Sequence, residues 1–344
     1  MRVLVTGGAG FIGSCFVRTV LKDGEPDTGS GSGSGSGNDG DGDSVIVLDK
    51  LTYAGRRSNL PAHHPRLDFV QGDIRDRALL RKLLPGCDAV VHFAAESHVD
   101  RSLHSADAFT ETNVLGSQVL FDACLEADVP RIVHVSTDEV YGSVTTGASK
   151  EDDPLLPNSP YAASKAASDL VARAYHRSHG LPVMVTRCAN NYGPRQDAEK
   201  VIPHFVTRLL DGRDVPLYGD GSHVRQWLHV SDHCRALRLV LEKGEPGEIY
   251  NIGGGTTLTN RELTFRLLRL CGADAGRIRH VTDRKAHDLR YAVDDSKLAA
   301  LGYRPGVPFD EGLARTVEWY RGQRDRRVRR DQRDQRVQRE GNVA

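Results

Sequence analysis

The sequence predicts an α/β fold, in which a doubly wound parallel sheet is followed by a smaller mixed α/β lobe. Three observations predict this fold class. Short apolar runs alternate with helix-like segments in the first half of the 344 residues, a glycine-rich turn follows the first run, and the alternation becomes irregular after about residue 190. Continuous apolar runs are typical of strands that helices cover on both faces.

The predicted elements follow one another in a regular order. Six segments are short and aliphatic, as buried strands are: Val3–Val5, Val45–Leu48, Leu67–Val70, Ala89–Ala94, Ile132–Val135 and Val183–Thr186. Four longer segments between them are predicted helices: Phe11–Leu21, Arg77–Leu84, Thr112–Ala127 and Tyr161–His179. Strands that alternate with helical crossovers form a parallel sheet.

Composition limits the kind of partner. Lys plus Arg and Asp plus Glu number 46 each, so no overall field favours nucleic acid or a membrane surface. The six cysteines show no Cys-x-x-Cys spacing, which predicts reduced thiols and no metal site. The short apolar run Val3–Val5 before the glycines predicts no signal peptide, and no apolar run approaches the length of about 20 residues that spans a bilayer. We therefore expect a soluble cytoplasmic protein.

Two segments interrupt or follow the α/β pattern. Residues 24–43 are rich in Gly, Ser and Asp, which predicts a flexible insertion. The tail from 321 to 344 has nine Arg against four acids, and we expect a solvated helix extension or a frayed terminus rather than a nucleic-acid site. The predicted domains are therefore 1–188 and 189–320, with part of the second returning to the sheet.

The first predicted turn carries a dinucleotide-binding pattern. Gly7, Gly10 and Gly13 are spaced Gly-x-x-Gly-x-x-Gly between a strand and a helix. Such glycines permit a tight turn, bring the backbone close to a pyrophosphate and let the helix pack on the strand. This context predicts a Rossmann-type domain.

An acid at the end of the second predicted strand indicates which dinucleotide binds. Asp49 follows Val45–Leu48, and removing the insertion restores the usual distance from Gly13. A carboxylate at this place accepts hydrogen bonds from the ribose hydroxyls and repels a 2′-phosphate, so NAD is predicted over NADP. Lys50 weakens that preference without reversing it.

A predicted redox pair lies on one helix face. Tyr161 and Lys165 are four residues apart, one helical turn. An isolated Tyr has a pKa near 10, and we expect the Lys165 ammonium together with a positive nicotinamide ring to lower the pKa of Tyr161. Tyr161 could then take a proton from a substrate hydroxyl, with Thr137 sharing that hydrogen bond.

Two adjacent acids follow the predicted strand Ile132–Val135. Asp138 and Glu139 would lie at the carboxyl end of a parallel strand, where open α/β sheets bind ligands. One carboxyl can donate a proton while the other removes one, provided that their environments separate their pKa values. The pair therefore predicts elimination chemistry.

Together these residues resemble the extended short-chain dehydrogenase/reductase superfamily, and within it the nucleotide-sugar 4,6-dehydratases. The resemblance runs from Met1 to about Tyr320. Its longest motifs are Val5–Ser14, Leu48–Gly55, Phe93–Ser102, Ser136–Gly142, Tyr161–Lys165 and Asn190–Pro194. Shorter ones are Glu111–Asn113, Glu199-Lys200, Trp227–His229, Tyr250–Gly254, His287-Asp288 and Arg290-Tyr291.

The resemblance implies a reaction in three stages. Tyr161 would deprotonate the C4 hydroxyl of a glucosyl nucleotide while hydride passes to NAD. Glu139 would then remove the C5 proton and Asp138 would protonate the departing C6 hydroxyl, so that water is lost. Hydride would finally return to C6. The resemblance favours dTDP-glucose as substrate and a homodimer as assembly.

The resemblance also implies two sets of binding residues. The NAD set comprises Gly7, Gly10, Phe11, Ile12, Gly13, Asp49, Lys50, Leu51, Thr52, Asp73, Ile74, Phe93, Ala94, Ala95, Ser97, Thr112, Tyr161, Lys165 and Asn191. The substrate set comprises Ser97, Thr137, Asn190, Lys200, Val201, Pro216, Tyr218, Arg225, Asn260, Arg284, His287 and Asp288. Arg225 is the expected diphosphate partner, since a guanidinium pairs bidentately with phosphate.

Departures and alternatives remain open at this point. Gln226 stands where these enzymes usually carry an acid, and Ala286 stands where a Gly before the His is usual. A 4-epimerase or a UDP-glucuronate decarboxylase would need Tyr161, Lys165 and NAD but not both acids. A UDP-glucose 4,6-dehydratase would carry the same acids. A non-catalytic NAD-binding protein would tend to lose Tyr161 or Lys165.

Overall fold

The computed structural model describes residues 1–21, 42–285 and 287–341. Most of the predicted insertion at 24–43, and Ala286, lie outside the described residues. Within the described part, no helix is both long enough and apolar enough to span a lipid bilayer.

The strands alternate with helices in the first half of the chain. The strands are β1 (Arg2–Thr6), β2 (Ser44–Asp49), β3 (Leu67–Gln71), β4 (Ala89–His92), β5 (Ile132–Thr137), β6 (Val183–Cys188), β7 (Asn190–Tyr192), β8 (Val215–Tyr218), β9 (Val224–His229), β10 (Ile249–Ile252), β11 (Thr256–Thr259) and β12 (Ile278–Val281). The helices are α1 (Phe11–Leu21), α2 (Arg77–Leu83), α3 (Val99–His104), α4 (Asp107–Phe109), α5 (Ser117–Glu126), α6 (Pro160–His179), α7 (Val201–Leu210), α8 (Val230–Lys243), α9 (Asn260–Cys271), α10 (Ser296–Ala300) and α11 (Phe309–Gly341).

Seven strands form one parallel sheet in the order β10-β6-β5-β4-β1-β2-β3. The chain runs outward from β1 through β2 to β3 and then returns to the other side of β1 as β4. This reversal opens a crevice at the carboxyl ends of β1 and β4, where doubly wound sheets bind ligands. The predicted fold class is confirmed.

Alternate residues of each strand pack on opposite faces of this sheet. Val3 and Val5 belong to the core beneath α1 and α8, whereas Leu4 belongs to the core beneath α2, α5 and α6. Successive side chains of a strand point to opposite faces of the sheet, and here both faces are buried beneath helices. The aliphatic strand sequences therefore reflect a sheet with two covered faces.

The second half of the chain has its own core. A three-stranded sheet in the order β11-β9-β7 and a parallel pair β12-β8 surround α7, α9 and the first turns of α11. Tyr192, Trp227 and Phe309 pack together in this core. Strand β10 comes from this half but pairs with β6 at the edge of the large sheet.

Two predicted elements differ from the structure. The segment predicted as the helix Thr112–Ala127 begins in a π-helical stretch, Thr110–Gly116, and only then becomes α5. This wide turn carries Asn113, whose side chain bonds the backbone of Glu96 and the hydroxyl of Ser164. The predicted strand Ala89–Ala94 ends two residues earlier, at His92. The π-helical stretch Thr110–Gly116 is an irregular helical turn, and such turns are frequent at functional sites.

Candidate active site

Two adjoining cavities open at the carboxyl edge of the large sheet. The first has a volume of about 370 Å³ and extends from the glycine loop to the end of β5. The second has a volume of about 560 Å³ and lies between the large sheet and the second half of the chain. Glu139, Asn190 and Lys200 line both cavities. A ligand that filled both would therefore pass these three side chains.

The glycine loop approaches a neighbouring strand too closely for any side chain. Gly7 has φ +68°, and a Cβ at this position would lie 2.6 Å from the backbone nitrogen of Ala94. At Gly13 a Cβ would overlap the carbonyl oxygen of Gly7. The loop thus keeps bare backbone at the wall of the first cavity, as dinucleotide binding requires.

Asp49 is held in place at the end of β2. Its Oδ2 accepts a hydrogen bond from Ala9 N at 2.9 Å, and its Oδ1 accepts one from Leu51 N at 2.8 Å. Burial raises the pKa of this carboxyl, while the two backbone bonds oppose that shift. Each oxygen keeps a free lone pair, so Asp49 can still accept from ribose hydroxyls in the first cavity.

A charged cluster lies beside Asp49. Lys50 Nζ lies 3.0 Å and Arg75 Nη2 lies 2.9 Å from Asp73 Oδ2, and Arg75 Nη1 also pairs with Glu111. Partial burial alone would raise the pKa of Asp73, but the hydrogen bonds from Arg75 and Lys50 outweigh it and lower that pKa to about 2. Asp73 is therefore ionised at neutral pH.

Tyr161 and Lys165 share one face of α6. The helix begins cleanly because Ser159 caps it through the N–H of Ala162 and Pro160 occupies its first turn. Lys165 Nζ donates to the carbonyl oxygen of Val135 at 2.8 Å, which fixes its ammonium under β5. Both side chains line the first cavity.

The expected effect of Lys165 on Tyr161 does not appear in the chain by itself. Burial first, and then the charge of Glu139, raise the pKa of Tyr161 above its ordinary value. Burial also lowers the pKa of Lys165, which the charge of Asp169 opposes. We predicted that Lys165 and a positive nicotinamide ring together lower the pKa of Tyr161. That lowering would therefore have to come mainly from the nicotinamide ring.

Asp138 and Glu139 follow β5 in a short 3₁₀ turn that Thr137 caps. Asp138 is 3% exposed, and its Oδ2 has no hydrogen-bond partner among the described residues. Burial and the charge of Glu139 raise the pKa of Asp138 to about 8. Asp138 is therefore mostly protonated at pH 7 and can act as an acid.

Glu139 has a different electrostatic environment from its neighbour. Burial raises the pKa of Glu139, and three nearby cations oppose that shift. These cations are Lys200, Arg225 and Arg284. Because Glu139 also keeps part of its surface open to both cavities, it can act as the base of the pair.

The second cavity has a cationic wall. Lys200 Nζ donates to the carbonyl oxygen of Ser97 at 2.6 Å, and Arg225 stacks on the ring of Tyr291 at 4.3 Å. Arg284 stacks on Tyr218 at 5.1 Å and pairs with Asp100 at 3.1 Å. The guanidinium groups therefore have fixed positions before any ligand binds. This wall suits a ligand with neighbouring phosphates.

Gln226 does not leave Arg225 without support. Its Oε1 accepts a hydrogen bond from Val293 N at 3.2 Å, and Arg225 Nη1 donates to Val224 O at 2.8 Å. Arg225 is 7% exposed. Tyr291 and the backbone thus hold the Arg225 guanidinium, although Gln226 stands where these enzymes usually carry an acid.

Most predicted residues line the cavity expected for them. The first cavity includes the predicted NAD set except Leu51, whose side chain packs on the hydrophobic core. The second cavity includes the predicted substrate set except Ser97 and Thr137, which line the first. Asp288 lines the second cavity, but both its oxygens are already bonded, to Asn158 and to Tyr291.

Several lining residues were not assigned from the sequence. They include Arg75, Glu111, His98, Glu199, Phe205 and Tyr291. Four of them, His98, Glu111, Glu199 and Tyr291, lie inside motifs that carried the resemblance, so a signal for them was present. Arg75, by contrast, directly follows the assigned Asp73 and Ile74, and only its contacts reveal a role.

Three potential metal ligands meet near the second cavity. The ligand atoms of His223, Asp283 and His287 lie within 4.8 Å of one another in the described part of the chain. The two imidazole rings are stacked at 3.7 Å. Burial, opposed by Asp283 and supported by Arg225 and Arg284, lowers the pKa of His287 to about 4. These two arginines disfavour a cation here, so we assign these residues to the cavity wall.

Comparison with known proteins places these features among nucleotide-sugar enzymes. The family model described as GDP-mannose 4,6 dehydratase matches residues 4–316. A dTDP-glucose 4,6-dehydratase of Actinoplanes sp. is 57% identical over 94% of this chain and 99% of its own length. One from Streptomyces niveus is 55% identical over 94% of each.

Solved structures show the same relationship. The crystal structure of a dTDP-glucose 4,6-dehydratase from Streptomyces venezuelae with NAD bound is 61% identical, has a TM-score of 0.88, and is matched over 94% of this chain and 98% of that one. A UDP-glucose 4-epimerase from Thermus thermophilus in complex with NAD is 35% identical, with a TM-score of 0.82, and is matched over 94% of this chain and 99% of that one. Backbone similarity alone therefore does not separate dehydratase from epimerase.

Proposed function

We propose that this chain, which belongs to the GDP-mannose 4,6 dehydratase family because that family's model matches residues 4–316, is an NAD-dependent dTDP-glucose 4,6-dehydratase. The reaction converts dTDP-glucose to dTDP-4-keto-6-deoxyglucose and water. Relatives of that name are 55–57% identical to it over 94% of its length. The observation that carries the proposal is the adjacent pair of Asp138, which is buried, and Glu139, which is only partly buried, so that their environments differ.

The first cavity fits NAD. Its glycine loop presents backbone without side chains, Asp49 presents two fixed carboxylate oxygens, and Tyr161 and Lys165 lie at the opposite end. NAD, when bound, accepts hydride from C4 of the sugar and returns it to C6. The protein's residues bind and orient the reactants and move the protons.

Tyr161 removes the proton from the C4 hydroxyl. Its hydroxyl hydrogen bonds to Thr137, and Lys165 lies one helical turn away with its ammonium fixed by Val135 O. Burial raises the pKa of Tyr161 in the chain by itself, and positive charge bound beside it would favour loss of its proton.

Glu139 and Asp138 then carry out the elimination. A ketone at C4 acidifies the C5 hydrogen, which Glu139 removes while Asp138 donates its proton to the departing C6 oxygen. The unpartnered Oδ2 of Asp138 is available for that oxygen. A neutral acid beside an ionised base is the protonation state that this step requires.

The carboxyl pair separates this reaction from its closest alternatives. A 4-epimerase oxidises the same carbon with the same Tyr and Lys but moves no proton at C5, so it needs neither acid. A UDP-glucuronate decarboxylase needs no acid for a C6 hydroxyl. Burying two neighbouring carboxyls costs stability, and such a cost persists where chemistry requires it.

The cationic wall would bind the diphosphate of the substrate. Arg225 and Arg284 present guanidinium groups, and Lys200 connects that wall to the catalytic acids. With the diphosphate there, the glucosyl group would reach Glu139, Asn190 and Lys200, which line both cavities. Pro216, Tyr218, Asn260 and His287 would surround the nucleoside.

Assembly, domains and location complete the proposal. Leu115 is 46% exposed and Leu170 on α6 is 54% exposed, and such apolar surface on these helices suits a homodimer interface. Residues 1–188 would act as the NAD domain and residues 189–320 mainly as the substrate lobe. We propose the cytoplasm as its location, where NAD and a nucleotide sugar would both be available, and no nucleic-acid or membrane partner.

Isotope transfer tests the proposal. The protein is incubated with dTDP-glucose deuterated at C4, and in parallel with the UDP analogue, and the products are analysed by mass spectrometry and NMR. We expect loss of water and deuterium at C6, faster with the dTDP sugar. Inversion at C4 with water retained would identify an epimerase, and faster turnover of the UDP sugar would correct the nucleotide.

Tyr161→Phe is the matched variant for this test. It removes the acidic hydroxyl and keeps the ring, so we expect the first hydride transfer to fall by about 10²–10⁴-fold. A variant that still released water from dTDP-glucose at the normal rate would contradict the role of Tyr161.

A further inference from the structure

We propose that Asp73 determines nucleotide specificity by occupying the two cations that could otherwise bind a 2′-phosphate. This inference rests on the proposed NAD-dependent function and adds a residue to its specificity. Asp73 acts here through Lys50 and Arg75, so for this purpose it is a positioning residue.

Five charged side chains, which we call the ribose cluster, line the same end of the first cavity. They are Asp49, Lys50, Asp73, Arg75 and Glu111. Three are acids and two are bases, so the cluster has a net charge of −1. Since Asp49 marks the ribose position, a 2′-phosphate would enter this cluster.

Both cations of the ribose cluster are already paired with carboxylates. Asp73 Oδ2 accepts from Lys50 and from Arg75 Nη2, while Asp73 Oδ1 accepts from the backbone N–H of Arg75 at 2.9 Å. Arg75 Nη1 pairs with Glu111. All three nitrogens of the Arg75 guanidinium and the ammonium of Lys50 are thus directed at carboxylates rather than into open cavity.

The effect of Lys50 depends on this arrangement. A Lys directly after the ribose acid would ordinarily weaken discrimination against NADP, because its ammonium would attract a 2′-phosphate. Here Asp73 neutralises it from the end of the neighbouring strand β3. Asp49 repels the phosphate directly, and Asp73 withdraws the cations that would compensate for that repulsion.

Competition between the two nucleotides measures this specificity. The full-length protein is equilibrated with a mixture of NAD and NADP and passed through a desalting column. The bound nucleotides are then released with acid and quantified by chromatography. The ratio of bound NADP to bound NAD reports specificity directly and does not require catalysis.

Asp73→Asn keeps the size of the side chain and an acceptor for adenine but releases Lys50 and Arg75. We expect the bound NADP-to-NAD ratio to rise about tenfold at low ionic strength and by less in high salt, because exposed charges are screened. Glu111→Gln, which releases only one side of Arg75, should raise the ratio by a smaller factor. This second variant does not touch the position expected to contact adenine.

Two controls identify the cause. Asp76→Asn makes the same chemical change at the N-cap of α2, outside the first cavity, and should leave the ratio unchanged. Adding Arg75→Gln and Lys50→Gln to Asp73→Asn should remove the gain, because no cation would remain for the phosphate.

The result that overturns the inference is a ratio in Asp73→Asn equal to that of the unmodified protein while NAD still binds. Persistence of the gain after both cations are removed would also overturn it, since the effect would then come from the lost charge of Asp73 alone. Binding of neither nucleotide by the unmodified protein would instead overturn the proposed function.

Discussion

Two aspartates at the carboxyl edge of the same sheet have opposite electrostatic environments. Asp73 follows β3 at the surface, where Lys50 and Arg75 bond it and lower its pKa to about 2. Asp138 follows β5 in the interior, where burial and Glu139 raise its pKa to about 8. The difference shows that a position at a strand end brings a residue into the site. Burial and neighbouring charges then determine whether that residue is protonated.

Removing the base beside Asp138 should have the largest effect. Glu139→Gln keeps the shape of the side chain but cannot accept the C5 proton, so we expect elimination to fall by about 10³-fold or more. Oxidation at C4 should remain measurable. The test follows nucleotide absorbance in a single turnover together with exchange of deuterium at C5.

Glu126→Gln, at an exposed position on α5, is the control for Glu139→Gln and should turn over normally. If Glu139→Gln released water at the normal rate, the base would be another residue.

Asp138→Asn should have the next largest effect. It can donate a hydrogen bond but not a proton, so we expect the rate of water loss to fall by about 10²-fold. The unmodified protein should lose activity as the pH rises through about 8, because Asp138 then gives up the proton it must donate. The variant should not show this alkaline loss.

Rates of water loss measured from pH 6 to pH 9.5 check this expectation. An alkaline limb that survives in Asp138→Asn would assign the ionisation near pH 8 to another group and remove Asp138 as the acid.

The same substitution should stabilise the fold. Because the pKa of Asp138 is raised in the folded state, its contribution to stability is present below the unfolded pKa and is lost as the pH rises to about 8. Asp138→Asn removes that loss, so we expect a gain of roughly 2–4 kcal/mol at pH 8.5. Urea unfolding at pH 5 and pH 8.5 measures it, with a larger gain at the higher pH. An equal gain at both values would contradict the argument.

Asp73→Asn should lower the free energy of unfolding, and this should be the smallest of the predicted effects. Because the pKa of Asp73 is lowered, its stabilising contribution is present above the unfolded pKa and is lost as the pH falls toward about 2. The group is partly exposed, so we expect a loss of at most about 1 kcal/mol at pH 7. Urea unfolding at low and high salt tests it. A gain in stability would break the comparison between the two aspartates.

Much of the fold was predictable because its signals are local. A strand, a glycine turn and an apolar helix face follow one another directly in the sequence and identify Val3–Val5 and Phe11–Leu21. In the structure these segments form β1 and α1, respectively. The π-helical stretch at Thr110–Gly116 was not predicted. Its shape depends on Asn113 contacting Glu96 and Ser164, which are distant in sequence.

Many residues of the site could also be predicted from the sequence, but the contacts between them could not. Arg225 was expected to bind a diphosphate, whereas its support by Tyr291 comes from a residue 66 positions later in the chain. Asp288 was expected to contact substrate directly. The structure adds that its two oxygens accept hydrogen bonds from Asn158 and Tyr291, contacts that exist because folding brings these three side chains together.

From the sequence we could infer the sheet, the glycine loop and the residue types at the strand ends, because periodicity and turn chemistry depend on residues that are neighbours in the chain. Only the tertiary structure decided which of two aspartates keeps its proton. The pKa of a carboxyl depends on the water excluded and the charges brought near it, and both are set by residues far apart in the chain.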